Sequence, residues 1–92
     1  MTTIKITRAR ISCDGHAGNK VACAMLTAFT VSLIKNLVER LQLNIDFSLK
    51  PGAFFVATDG INGEGKILID AYKYSLYGLA DSYPNSFSIV EE

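Results

Sequence analysis

Between Lys20 and Leu43 the chain offers a helix with apolar residues on two sides, and no other segment limits the fold so tightly. Ala22, Leu26, Phe29, Leu33 and Leu37 form one stripe at helical spacing. Ala24, Val31, Ile34, Val38 and Leu41 form a second stripe, and polar residues (Ser32, Lys35, Asn36, Glu39, Arg40) gather only in the second half. A helix apolar on two faces is covered on two sides. One face calls for a sheet, and the other for a second helix or a second copy of the chain.

The segments around it supply the sheet. Thr2–Thr7 alternates, with Ile4 and Ile6 on one face, and Ala9–Asp14 places Ile11 and Cys13 opposite Arg10, Ser12 and Asp14. The two runs predict a hairpin. Ile45, Phe47 and Leu49 predict a third strand from Asn44, Lys50-Pro51-Gly52 a turn, and Phe54–Thr58 the return strand. After the loop Asp59–Gly63, a second helix spans Gly65–Tyr83 with Leu68 (and Ile69), Tyr72, Leu76, Leu79 and Tyr83 on one face; Pro84 stops it and Phe87–Val90 is a last strand. The order β-β-α-β-β-α-β, without βαβ alternation, predicts an α+β domain of two layers over residues 1–92. Its sheet is mainly antiparallel, with two helices on one face.

Residue content narrows the function. Nine acidic and nine basic side chains cancel, which argues against a nucleic-acid partner. They are unevenly placed: residues 1–43 carry six Lys/Arg against two Asp/Glu, and residues 44–92 three against seven. No apolar leader run opens the chain. The longest apolar stretch, Val21–Ile34, has 14 residues against the roughly 20 that a bilayer needs, so the expectation is a protein of the cytoplasm with no membrane partner. Two cysteines left unpaired suit a reducing compartment.

The chemistry concentrates in Gly15–Ala24. It holds the only histidine, His16, seven positions before Cys23. Asn19 is a fitting N-cap for the helix that follows. A thiol near the start of a helix feels the positive end of the helix dipole, which favours the nucleophilic thiolate. An imidazole on the incoming loop can serve as its base. Gly15 and Gly18 allow either a tight loop or the close approach of a substrate backbone, and backbone N–H groups near Ala22–Ala24 are candidates for oxyanion binding. Cys13 alternates with Ile11 and points into the core. Cys13, His16 and Cys23 could instead hold a metal, but three donors with no second pair do not close a structural site, so no metal or other cofactor is expected. Off the core stripe of the second helix, Tyr74 and Tyr77 are candidates for a contact surface.

Gly15-His16-Ala17 followed by Val21-Ala22-Cys23-Ala24 resembles the signature of the ribosomal-processing cysteine protease family, Prp. The paired hairpins, the glycine turn before Phe54 and the ending Leu79-Ala80-Asp81-Ser82-Tyr83-Pro84 extend the resemblance over essentially the whole chain. It implies a small homodimeric endopeptidase; separately, the two-faced helix Lys20–Leu43 is itself the expected place of pairing. The implied reaction removes a short N-terminal extension from a large-subunit ribosomal protein, number twenty-seven, beside a Phe-Phe pair. Cys23 would be the nucleophile, His16 the base, and Gly15, Ala17, Gly18 and Ala24 the surrounding substrate or oxyanion loop. Two departures stand out. The His–Cys loop is short, as in one branch of the family, and the family's Asp three residues before the cysteine is Lys20 here, beside Asn19. Thr27 keeps a hydroxyl where the family has Ser. Orientation of the imidazole then falls to Asp14 or a backbone carbonyl. The missing carboxylate leaves a second reading open, a non-catalytic ribosome-associated or assembly module with the same fold.

Overall fold

Alternation in the sequence becomes one five-stranded sheet in the computed structural model, which describes residues 1–92. In chain order the elements are β1 (Thr2–Ile6), β2 (Arg10–Asp14), α1 (Lys20–Lys35) with a π-helical extension (Asn36–Arg40), β3 (Phe47–Lys50), β4 (Ala53–Ala57), α2 (Gly63–Ser82) and β5 (Phe87–Glu91). The strands lie in the order β3-β4-β2-β1-β5. Three neighbouring pairs are antiparallel, and β5 joins β1 in parallel. Parallel pairing needs a crossover rather than a hairpin, and α2 is the last part of the connection that provides it.

The register sorts the side chains by face. Ile4 lies opposite Cys13, Ile6 opposite Ile11, Cys13 opposite Phe54 and Ile11 opposite Val56, and all are buried. The other face carries Lys5, Arg10, Ser12 and Asp14, with the Arg10 guanidinium 4.5 Å above the Phe55 ring. Both helices cover the first face. Ala22, Leu26, Leu33 and Leu37 of α1 and its extension enter the same core as Ile69, Tyr72, Leu76 and Leu79 of α2. Each fully buried Leu or Ile there contributes about 1.5–3 kcal/mol of transfer free energy.

The second stripe of α1 divides. Ile34 is buried, and Val31, Val38 and Leu41 are half-covered by the chain itself, whereas Ala24 is exposed. The large apolar side chains left open on the helices are Val21 (60% exposed), Met25 (37%), Ile67 (69%), Tyr74 (83%) and Tyr77 (45%). By length and mean hydropathy (1.8), the helix Lys20–Arg40 would suffice to cross a membrane. Its main stripe is instead packed into the core, as in a core helix.

Three boundaries move by two residues or more. The helix expected to reach Leu43 ends at Arg40, because the last turn widens: Leu41 N–H donates to the Asn36 carbonyl (2.9 Å) and Leu43 N–H to that of Leu37 (2.9 Å). Gln42, at φ 55°, closes it in the left-handed conformation usually left to glycine. β3 starts at Phe47 rather than Asn44, although Asp46 already accepts from Ala57 N–H (2.9 Å). α2 begins at Gly63, two residues earlier than its periodicity indicates.

Candidate active site

β2 ends at Asp14, the chain turns through Gly15–Asn19, and α1 begins at Lys20. The turn is tied down from two sides. Gly15 N–H donates to the Gly52 carbonyl (2.9 Å), and the Thr2 hydroxyl donates to the Gly15 carbonyl (3.3 Å). Gly15 has φ 98°, and a Cβ there would lie 2.5 Å from the Met1 carbonyl oxygen. A glycine is required by both conformation and space. Gly18 also has positive φ (74°) but faces open space.

Asn19 caps the helix as expected. Its Oδ1 accepts from Val21 and Ala22 N–H, both at 3.0 Å, and its carbonyl accepts from Cys23 N–H (3.0 Å). The amides of Ala22 and Cys23 are therefore engaged, and Ala24 lies inside the helical ladder. Lys20 N–H, at the helix start, has no intrachain acceptor.

His16 and Cys23 line one cleft of about 170 Å³, together with Thr2, Cys13, Gly15, Leu26, Thr27, Leu49, Pro51, Gly52 and Phe54. No Asp, Glu, Lys or Arg is among them. The cleft lies between the first turns of α1 and the β3–β4 turn. The Phe47 and Leu49 side chains of β3 share the helix-covered face with Val56 and Phe54, yet stay 42% and 37% exposed. Cys23 is exposed at the cleft wall, and Thr27 spends its hydroxyl on the Cys23 carbonyl (2.9 Å).

The other site candidates are placed less centrally. Asp14 is exposed on the sheet face opposite Cys13 and does not line the cleft, so it is no partner for His16. Asn19 and Lys20 stand outside it, and Ala17 is buried beneath the loop. Sequence reasoning missed Thr2, Leu49, Pro51 and Gly52. Of these only Pro51 and Gly52 left a signal, as residues of a turn.

The two cysteines in the cleft differ sharply. Cys13 is 2% exposed, and its sulfur sits 4.0 Å from the Tyr72 hydroxyl, which pairs with that of Thr30 (2.9 Å). Burial pushes the Cys13 thiol up to about 11, with Tyr72 opposing and Asp14 adding slightly. Burial likewise holds the Tyr72 phenol well above its usual range. Cys13 is thus a neutral core thiol, although Cys13, His16 and Cys23 share a cleft. These three are not disposed as a metal-binding group. At pH 8, iodoacetamide is expected to modify Cys23 and leave Cys13 untouched until the protein is unfolded, as read by peptide mass. Modification of both thiols at equal rates in the folded protein would contradict this assignment.

No family model and no curated protein matches the sequence. Solved structures do match the fold. The ribosomal processing protease Prp from S. aureus, in complex with a covalently linked product peptide, superposes with TM-score 0.88 at 20% identity, over 100% of both chains. The same protease with a substrate peptide gives 0.87 at 18% identity, again over 100% of both chains. A hypothetical protein from Staphylococcus aureus gives 0.80 at 18% identity and the same coverage. Over its full length, the chain resembles in fold the Prp ribosomal processing proteases.

Proposed function

We propose that this chain is a cysteine endopeptidase of ribosomal protein processing, with Cys23 as nucleophile and His16 as general base. The observation that carries the reading is the meeting of the only histidine and the one exposed cysteine in a single apolar, uncharged cleft. The cleft belongs to a fold whose S. aureus examples hold substrate and covalently linked product peptides. His16 takes the Cys23 thiol proton, the thiolate attacks the scissile carbonyl carbon, and the C–N bond breaks as His16 returns the proton to the leaving amine. A water then attacks the Cys23 thioester with His16 as base, releasing the carboxylic product and the free thiol. The helix-start N–H of Lys20 is the amide free to face the oxyanion; those of Val21 and Ala22 become free only if Asn19 turns away. The uncharged walls suit apolar side chains beside the cut bond. The proposed substrate is the N-terminal extension of large-subunit ribosomal protein twenty-seven, and the compartment is the cytoplasm. The open apolar side chains Val21, Met25 and Tyr74 favour a homodimer that uses the α1–α2 side.

One observation favours a second reading. No carboxylate lines the cleft to orient His16, as fits a non-catalytic assembly module that has kept the fold. Incubation with a peptide spanning the extension, read by mass, separates the two. Cleavage at one bond supports the peptidase. No cleavage but fast Cys23 alkylation below pH 7 keeps the nucleophile and discards the substrate. No cleavage with an inert thiol favours the module.

A further inference from the structure

The imidazole needs an orienting element, and the cleft offers no acid for the purpose. The close neighbour that the geometry gives the ring is main chain. Gly52, in the β3–β4 turn, has φ 75°, and a Cβ built on it would lie 2.9 Å from His16 Cε1, 3.1 Å from Nε2 and 3.6 Å from Nδ1. The ring therefore occupies the space that a side chain on Gly52 would fill. The same residue's carbonyl accepts from Gly15 N–H at 2.9 Å and fixes the root of the His16 loop. One glycine thus holds the loop by its oxygen and the ring by its missing side chain.

We propose that Gly52 is the positioning residue of His16: the β3–β4 turn orients the base by packing, in the place where other Cys–His sites use a carboxylate. The proposal rests on the catalytic reading for its consequence, but not for its geometry. A methyl at Gly52 meets the free end of a side chain, so the ring swings away while the backbone stays. Function is lost, while the cost to folding is chiefly the left-handed strain of an L residue at φ 75°, about 1–2 kcal/mol. Proximity terms make such displacement expensive for a proton transfer.

Gly60 provides the control. It has φ 76°, the same strain for an L side chain, but a methyl there would meet no atom within 4 Å. Gly52→Ala, Gly60→Ala and His16→Ala are compared by the pH profile of Cys23 alkylation. Gly52→Ala is expected to slow alkylation near neutral pH by about tenfold and to copy the His16→Ala profile. Gly60→Ala is expected to keep the original profile. An unchanged Gly52→Ala profile, or equal change in both glycine variants, overturns the proposal. A nuclear Overhauser contact between the His16 ring and the Gly52 α-protons in the unsubstituted protein is also expected. Its absence overturns the proposal even where Gly52→Ala does not fold. If His16→Ala leaves the profile unchanged, the catalytic pairing fails, and the ring contact alone decides the positioning.

Discussion

Cys23→Ala is expected to reduce peptide cleavage by on the order of 10⁴-fold or more, with the melting temperature essentially unmoved. The two halves of this expectation have different origins. The sulfur is the only accessible thiol of the cleft, since the second, Cys13, is held neutral by burial. Hydrolysis without Cys23 would need water as the attacking group, in a cleft without a carboxylate to activate it. Stability is spared because the Cys23 side chain is exposed and helps fill no cavity. Alanine also suits the helix better than cysteine, and surface changes of this kind stay within about 0.5 kcal/mol. The check is cleavage of the extension peptide by both proteins, quantified by mass, beside a thermal melt of each. Retained cleavage by the purified variant would refute the mechanism.

Leu37→Ala should have the largest effect on stability, about 3 kcal/mol, within the roughly 2–5 kcal/mol that such truncations cost. Leu37 is 0% exposed and sits where three elements meet. Its carbonyl accepts from Leu43 N–H to close the widened helix end, and its Cδ2 faces Gly65 in the first turn of α2. A Cβ on Gly65 would lie 2.6 Å from Ile61 Cγ2 and 3.3 Å from Leu43 Cδ1, so the surroundings are already tight. They have little slack with which to collapse into the space a removed isobutyl leaves. A domain of this size has a total stability of about 5–15 kcal/mol, so the variant should melt on the order of 15 °C lower. Urea and thermal unfolding measure the difference. A loss below about 1 kcal/mol would show that the helix junction is looser than described.

Much of this architecture is legible in the sequence because its signals are local. Alternation places Ile4, Ile6, Ile11 and Cys13 on one face, since a strand has a period of two whatever it packs against. Asn19 is legible as a cap because its bonds reach only two and three residues ahead. Pairing information is not local. Nothing in Phe87–Glu91 announces that it lies parallel to β1 rather than against a hairpin partner. The end of the first helix falls short of the expected Leu43 because Leu41 and Leu43 continue the apolar spacing while the hydrogen bonds have already widened. The candidate site divides in the same way. His16 and Cys23 stand close in sequence and carry a motif. Gly52 and Thr2 reach the cleft only through strand pairing, and a glycine or threonine on a turn or a strand carries no chemical label. Asp14 fails as the orienting acid for a purely geometric reason: it follows Cys13 directly, and neighbours on a strand face opposite ways.

The parallel pair β1–β5 has a consequence for how the molecule comes into being. Thr2, which steadies the His16 loop through its hydroxyl, donates its own N–H to the Ser86 carbonyl (2.8 Å), just before β5. The support of the loop thus closes across nearly the whole chain, the slowest kind of contact to form. A polypeptide still emerging during synthesis has the histidine and the cysteine early, but not the strand that locks their scaffold. On the catalytic reading, the loop that carries the base gains its full support only after β5 has been made and has paired with β1.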